Sequence, residues 1–167
     1  MPGPSELNEE SREVAAAIST AVRRTGARVA AAESLTSGAI ASHLGAAEAA
    51  SDWFAGGVVA YSRQVKFSVL HVEPGPVVTE ACARQMARGV LDLLSADVAV
   101  AVTGAGGPDP EEDMPPGTVF IAVCSGGDVR VEQHRFDGDP EQVVRDTTLG
   151  ALRLLRAEVE GSSRHSG

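Results

Sequence analysis

Arg28-Val29-Ala30-Ala31-Ala32-Glu33-Ser34-Leu35-Thr36-Ser37-Gly38 carries a short unbroken apolar run straight into hydroxyls and a glycine. An apolar run of this length, from Arg28 to Ala32, predicts a buried strand. Ala39 to Leu44 then continues as a helix, with Thr36 or Ser37 as its N-cap. Capping is the ordinary work of such hydroxyls. A strand-turn-helix unit also presents free backbone N–H groups and a positive dipole end beside an exposed serine. That setting suits a nucleophile or an anion.

Working outward, Glu6 to Thr25 has the period of a helix with Val14, Ile18, Ala21 and Val22 on one face. Gly56 to Tyr61 reads as a second strand, and Arg63 to Leu70 as a short helix. Thr79 is a good N-cap for an amphipathic helix to about Ser95. Asp97 to Val102 predicts a strand running into Thr103-Gly104-Ala105-Gly106-Gly107-Pro108. Gly117–Cys124 and Val129–Phe136 flank Ser125-Gly126-Gly127-Asp128, which suggests a hairpin. Asp139-Pro140-Glu141 starts a last helix to about Glu158, burying Val144, Leu152, Leu155 and Val159. The order favours a three-layer α/β/α sandwich around a mixed, mostly parallel sheet with a late β-hairpin. Ligands in such sheets sit at the carboxyl ends of strands. Three predicted strands end in polar or glycine-rich turns, at Ser34, at Tyr61-Ser62 and at Thr103-Gly104, so one crevice is expected where they converge.

The 167 residues and 43% apolar content suit one domain, with a core from about residue 8 to 158 and mobile tails at 1–6 and 161–167. No apolar run approaches a membrane span, and the polar, acidic Met1 to Glu10 has no secretion signal. Cys82 and Cys124 have no metal-ligand spacing, and two cysteines fit a reducing cytoplasm. A net charge of −9 argues against nucleic acid as a partner. It leaves room for an anionic small molecule held by a few local cations.

A serine hydroxyl is a weak nucleophile unless a neighbouring base takes its proton. The histidines (His43, His71, His134, His165) stand in no motif. Lys66 is the alternative. A lysine with a pKa of about 10.4 is neutral at pH 7 about once in 2,500, roughly 4.6 kcal/mol uphill, and burial removes much of that. A Ser34–Lys66 pair therefore needs a dry pocket; a lysine on a short helix is otherwise a solvated charge. Tyr61, at a strand end, is placed to relay a proton or hold substrate, or to be an ordinary residue at the sheet margin. The Thr103–Pro108 turn lets backbone N–H groups approach a ligand or serves as a tight structural turn. The acidic run from Asp109 to Asp113 reads as a solvated loop.

Glu33-Ser34-Leu35-Thr36-Ser37-Gly38, Gly56-Gly57-Val58-Val59-Ala60-Tyr61-Ser62 with Lys66, Thr103-Gly104-Ala105-Gly106-Gly107-Pro108 and Gly117-Thr118-Val119 occur in one order. In this the chain resembles the CinA C-terminal domain family, whose characterised members are nicotinamide-nucleotide amidohydrolases. The resemblance covers about residues 8–158 and looks like the stand-alone form. It implies metal-independent, cofactor-free hydrolysis of the carboxamide of nicotinamide mononucleotide to nicotinate mononucleotide and ammonia. Ser34 matches the nucleophile and Lys66 its base, with Tyr61 beside them. Glu33, Thr36, Ser37, Gly38, Thr103, Gly104, Gly106 and Gly107 match the substrate-binding wall. Arg145 matches an arginine in the last helix that meets the phosphate. Ser34 at a helix N-terminus implies an oxyanion hole.

The family motif reads E-S-C-T-G-G, so Leu35 and Ser37 are departures, and Ser37 adds a Cβ where the backbone approaches substrate. Those departures motivate an alternative, a noncatalytic nucleotide-binding domain; an amidohydrolase of altered substrate is the other. A homodimer is expected, since such domains with exposed apolar helix faces often pair.

Overall fold

Within the five-stranded sheet, two neighbouring alanine-valine strands turn alternate residues to opposite layers. A computed structural model describes residues 3–165. The elements run α1 (Pro4–Thr25), β1 (Val29–Glu33), α2 (Ala39–Gly45), α3 (Ala50–Trp53), β2 (Phe54–Val59), α4 (Arg63–Val69), α5 (Glu80–Leu93), β3 (Val98–Gly104), β4 (Thr118–Ser125), β5 (Asp128–Arg135) and α6 (Pro140–His165).

In β1 and β3, Val29, Ala31, Val98, Val100 and Val102 pack with residues of α1, α2 and α6. The neighbours Ala30, Ala32, Ala99 and Ala101 face α5 on the other side. Small side chains on that second face let α5 lie close, a consequence of the two-residue period of a strand. These two clusters are the two cores of an α/β/α sandwich.

The strand order is β2-β1-β3-β4-β5. β1 pairs parallel with β2 and β3, while the β3–β4 and β4–β5 ladders are antiparallel. The hairpin turns at Gly126-Gly127, with Ser125 opposite Asp128 as expected. The two parallel ladders leave the C-terminal ends of β1, β2 and β3 adjacent at one edge of the sandwich. That is where a ligand sits in an open α/β sheet.

Caps set several helix starts. Ser62 Oγ accepts from Val65 N at 3.3 Å, Thr79 Oγ1 from Cys82 N at 3.0 Å, and Asp139 Oδ1 from Gln142 N at 2.9 Å.

Four features differ from the sequence expectation. Neither Thr36 nor Ser37 caps α2; Gly38 holds the N-cap position in a left-handed conformation with no side-chain bond. The one-turn helix α3 has four residues, too few for the helical period to repeat, and β2 begins earlier, at Phe54. Residues 4–6 form the first turn of α1, and α6 continues through 161–165, so helix occupies half of the first expected tail and most of the second; positions 1, 2, 166 and 167 of those tails lie outside the described residues. Val144 is only half-buried, unlike Leu152, Leu155 and Val159, because it faces a cavity instead of the core.

Candidate active site

The ends of β1, β2 and β3 meet at a cavity of about 460 Å³, closed on one side by the loop that follows β3. That volume lies in the usual range for a small-molecule site. Ser34 follows β1, Tyr61 follows β2, and Thr103 and Gly104 end β3; all four line the cavity. α4 adds Lys66 from the side, and Ser37, Gly106 and Gly107 complete the glycine-rich wall.

Ser34 is 8% exposed, so the serine expected at an exposed turn is instead part of a buried floor. Lys66 is 2% exposed, and its Nζ lies 3.0 Å from Ser34 Oγ and 3.1 Å from the Tyr61 carbonyl oxygen. A lysine is almost never this buried without partners. Among the 14 Lys and Arg residues of the chain, Lys66 is the only lysine. An arginine in its place would stay charged at any working pH. Burial lowers the Lys66 pKa; Cys82, Glu111 and Glu112 raise it in part, and Arg63 lowers it further. In the neutral form the amine donates to the Tyr61 carbonyl and offers its lone pair to the Ser34 hydroxyl. The pair has the burial and spacing that a Ser–Lys nucleophile requires.

Not every residue matched to substrate binding reaches the cavity. Glu33 is 1% exposed, and its carboxylate is fully engaged. It accepts from Thr36 Oγ1 at 2.6 Å, from Ile40 N at 2.9 Å and from Ala41 N at 2.9 Å. A carboxylate at the first turn of α2 satisfies two unpaired N–H groups and the helix dipole together. Glu33 and Thr36 therefore hold the Ser34 turn, and those two helix-end donors are not free to form an oxyanion hole. Gly38 lies behind the wall, where a Cβ would meet Val59 at 3.8 Å. The Thr103 hydroxyl is spent on the Val77 carbonyl at 2.7 Å. Ser37 is in the wall at φ 50°, the left-handed region that favours glycine.

Arg145 is outside the wall. Its guanidinium faces Gln142 at 3.5 Å and Glu141 at 3.8 Å along α6, while the preceding Val144 lines the cavity. The Tyr61 phenol is exposed, and the part of Tyr61 that touches Lys66 is its backbone carbonyl.

Four contributing residues were not read from the sequence. Arg63 lines the cavity one turn before Lys66, a placement that the three-residue spacing on α4 carries. Val77 and Val78 line it from a segment with no local signal. Glu112 belongs to the stretch read as a solvated loop, yet its side chain is 13% exposed. Its carboxylate accepts from Val77 N at 2.9 Å, from Val78 N at 2.6 Å and from Arg63 Nη2 at 2.7 Å. No helix among the described residues is long and apolar enough to cross a membrane.

The family model described as the CinA C-terminal domain matches residues 11–159. A CinA-like protein of Geotalea daltonii is 36% identical over 164 residues, covering 94% of this chain and 40% of the relative. A CinA-like protein of Citrifermentans bemidjiense is 37% identical over 157 residues, covering 89% and 37%. The chain thus spans two fifths or less of the length of these curated relatives. Among solved structures, a competence-damaged protein (CinA) superfamily protein from Klebsiella pneumoniae superposes with a TM-score of 0.86 at 34% identity, covering 89% of this chain and 97% of that one. A competence/damage inducible protein from Agrobacterium tumefaciens gives 0.84 at 32% identity, covering 94% and 96%.

Proposed function

The chain belongs to the CinA C-terminal domain family, and from that premise we propose that it hydrolyses the carboxamide of nicotinamide mononucleotide to nicotinate mononucleotide and ammonia. The observation that carries this reading is the buried contact of 3.0 Å between Lys66 Nζ and Ser34 Oγ. Neutral Lys66 takes the hydroxyl proton as Ser34 Oγ attacks the amide carbon, and the carbonyl oxygen becomes an oxyanion. Lys66 returns the proton to the amide nitrogen, the C–N bond breaks, and ammonia leaves an ester on Ser34. Water attacks that ester with its proton passing to Lys66; the acid departs, and Ser34 regains its proton. Each step moves one proton between Lys66 and a reacting atom, the general acid–base role of a base within hydrogen-bond reach. The Gly106-Gly107 main chain lines the same cavity and is the candidate for oxyanion donors, since Ile40 N and Ala41 N serve Glu33.

Ammonia release from nicotinamide mononucleotide by the purified chain tests the reading. Ser34→Ala is expected to abolish it; release at the wild-type rate by that variant excludes covalent catalysis by this serine. Tight binding with no turnover by the wild type would leave a nucleotide-binding domain, the alternative that Leu35 and Ser37 in the wall favour.

A further inference from the structure

A nucleotide amide must lay its reacting carbon at Ser34 on the cavity floor and reach with its phosphate toward the mouth. The cationic side chains lining the cavity are Lys66 and Arg63, and the acidic ones are Asp109 and Glu111. Lys66 is buried and committed to Ser34 and the Tyr61 carbonyl. Arg63 sits one helical turn earlier in the lining of the same cavity, with its side chain 54% exposed. We propose that Arg63 is the specificity-determining residue that binds the phosphate monoester of the substrate, oriented for this by Glu112. The inference rests on the amide-nucleotide reading of the same site.

Glu112 holds Arg63 through one nitrogen, Nη2. Among the described residues the remaining guanidinium N–H groups have no protein acceptor. The Glu112 carboxylate also accepts from Val77 N and Val78 N, so its charge is shared among three donors. A phosphate therefore need not displace it; the free edge of the fork presents the paired donors that suit a phosphate. Asp109 and Glu111 repel an anion near them, which leaves Arg63 as the part of the rim that attracts one. Arg145 is turned along α6 toward Glu141 and Gln142 and lines no part of the cavity.

The test compares nicotinamide mononucleotide with nicotinamide riboside, the same amide without phosphate, in wild type, Arg63→Gln, Arg63→Lys and Arg145→Gln. For Arg63→Gln, KM for the mononucleotide is expected to rise about tenfold to a hundredfold, the worth of a hydrogen bond to a charged group. Its kcat for the mononucleotide and its kcat for the riboside both carry the shift that loss of Arg63 causes at Lys66, so they should change together and by no more than about threefold, while KM rises for the mononucleotide alone. Arg63→Lys should fall between wild type and Gln. Equal rises in KM for both substrates, no rise for either, or a phosphate-specific rise in Arg145→Gln instead would overturn the assignment. If the wild type turns over neither compound, the proposed reaction falls and calorimetry decides the phosphate site. Mononucleotide binding weakened by Arg63→Gln, with riboside binding unchanged, upholds it; no binding of either compound to the wild type overturns it too.

Discussion

Replacing Lys66 by Met tests the energetic cost of the proposed base directly. The substitution keeps an unbranched stem in a site that is 2% exposed and deletes bonds of 3.0 Å to Ser34 Oγ and 3.1 Å to the Tyr61 carbonyl. Burial holds the Lys66 pKa below 10.5, its ordinary value. Between the folded value and 10.5 the unfolded chain binds the extra proton, so wild-type stability rises with pH across that window. Below it both states are protonated, and the fold carries the full cost of a buried ammonium. Each tenfold loss of proton affinity costs about 1.4 kcal/mol, against about 1–3 kcal/mol for stranding a buried polar partner in the variant. The difference in stability, Met variant minus wild type, should therefore be largest near neutral pH and shrink steadily toward 10.5. Denaturant melts of both proteins at a series of pH values measure it. Ammonia release in the variant should fall by about 10²–10⁴, the usual worth of a positioned base. A stability difference that stays constant from pH 7 to 10.5 would refute the reasoning, because it would mean that Lys66 holds its proton as firmly as a lysine in water.

Because the chain has a single lysine, selective ¹³C labelling at Cε yields one NMR signal that reports Lys66 alone. Its midpoint should move to lower pH in Glu112→Gln, which removes a charge that holds the proton on, and to higher pH in Arg63→Gln, which removes one that drives it off; shifts of the same sign would sink this account. Ser37→Gly should stabilise the fold by about 1 kcal/mol, measured by melts, since φ 50° costs a residue with a Cβ about that much. Gly161→Ala in α6, where a Cβ meets nothing within 4 Å, should gain up to about 1 kcal/mol of helix propensity. Gly89→Ala in α5 should instead lose about 1–3 kcal/mol, because the added Cβ runs into the Leu70 carbonyl at the end of α4. A stabilised Gly89→Ala would show that α4 and α5 are not held as closely as described.

The strands β1 and β3, the capped starts of α5 and α6 and the Ser125–Asp128 turn were legible because each depends on residues within a few positions of one another. Periods of 2.0 and 3.6, a hydroxyl beside free N–H groups and paired glycines at a turn are written locally. So was the shortlist for chemistry, since Ser34 falls between a strand end and a helix start and Lys66 is the one lysine of the chain. The tertiary structure decided what those side chains are free to do. Lys66 becomes a dry amine because α4 brings it to a serine 32 positions earlier. Glu33, adjacent to the nucleophile in sequence, is withdrawn from the cavity because α2 returns its N–H groups to the carboxylate. Glu112 leaves solvent because Val77, Val78 and Arg63 arrive around it from two other segments. Arg63 then stands in the wall where Arg145 was expected. Pattern along the chain sets which element a residue enters; desolvation and hydrogen-bond partners, which set its chemistry, come from atoms distant in sequence and close in space.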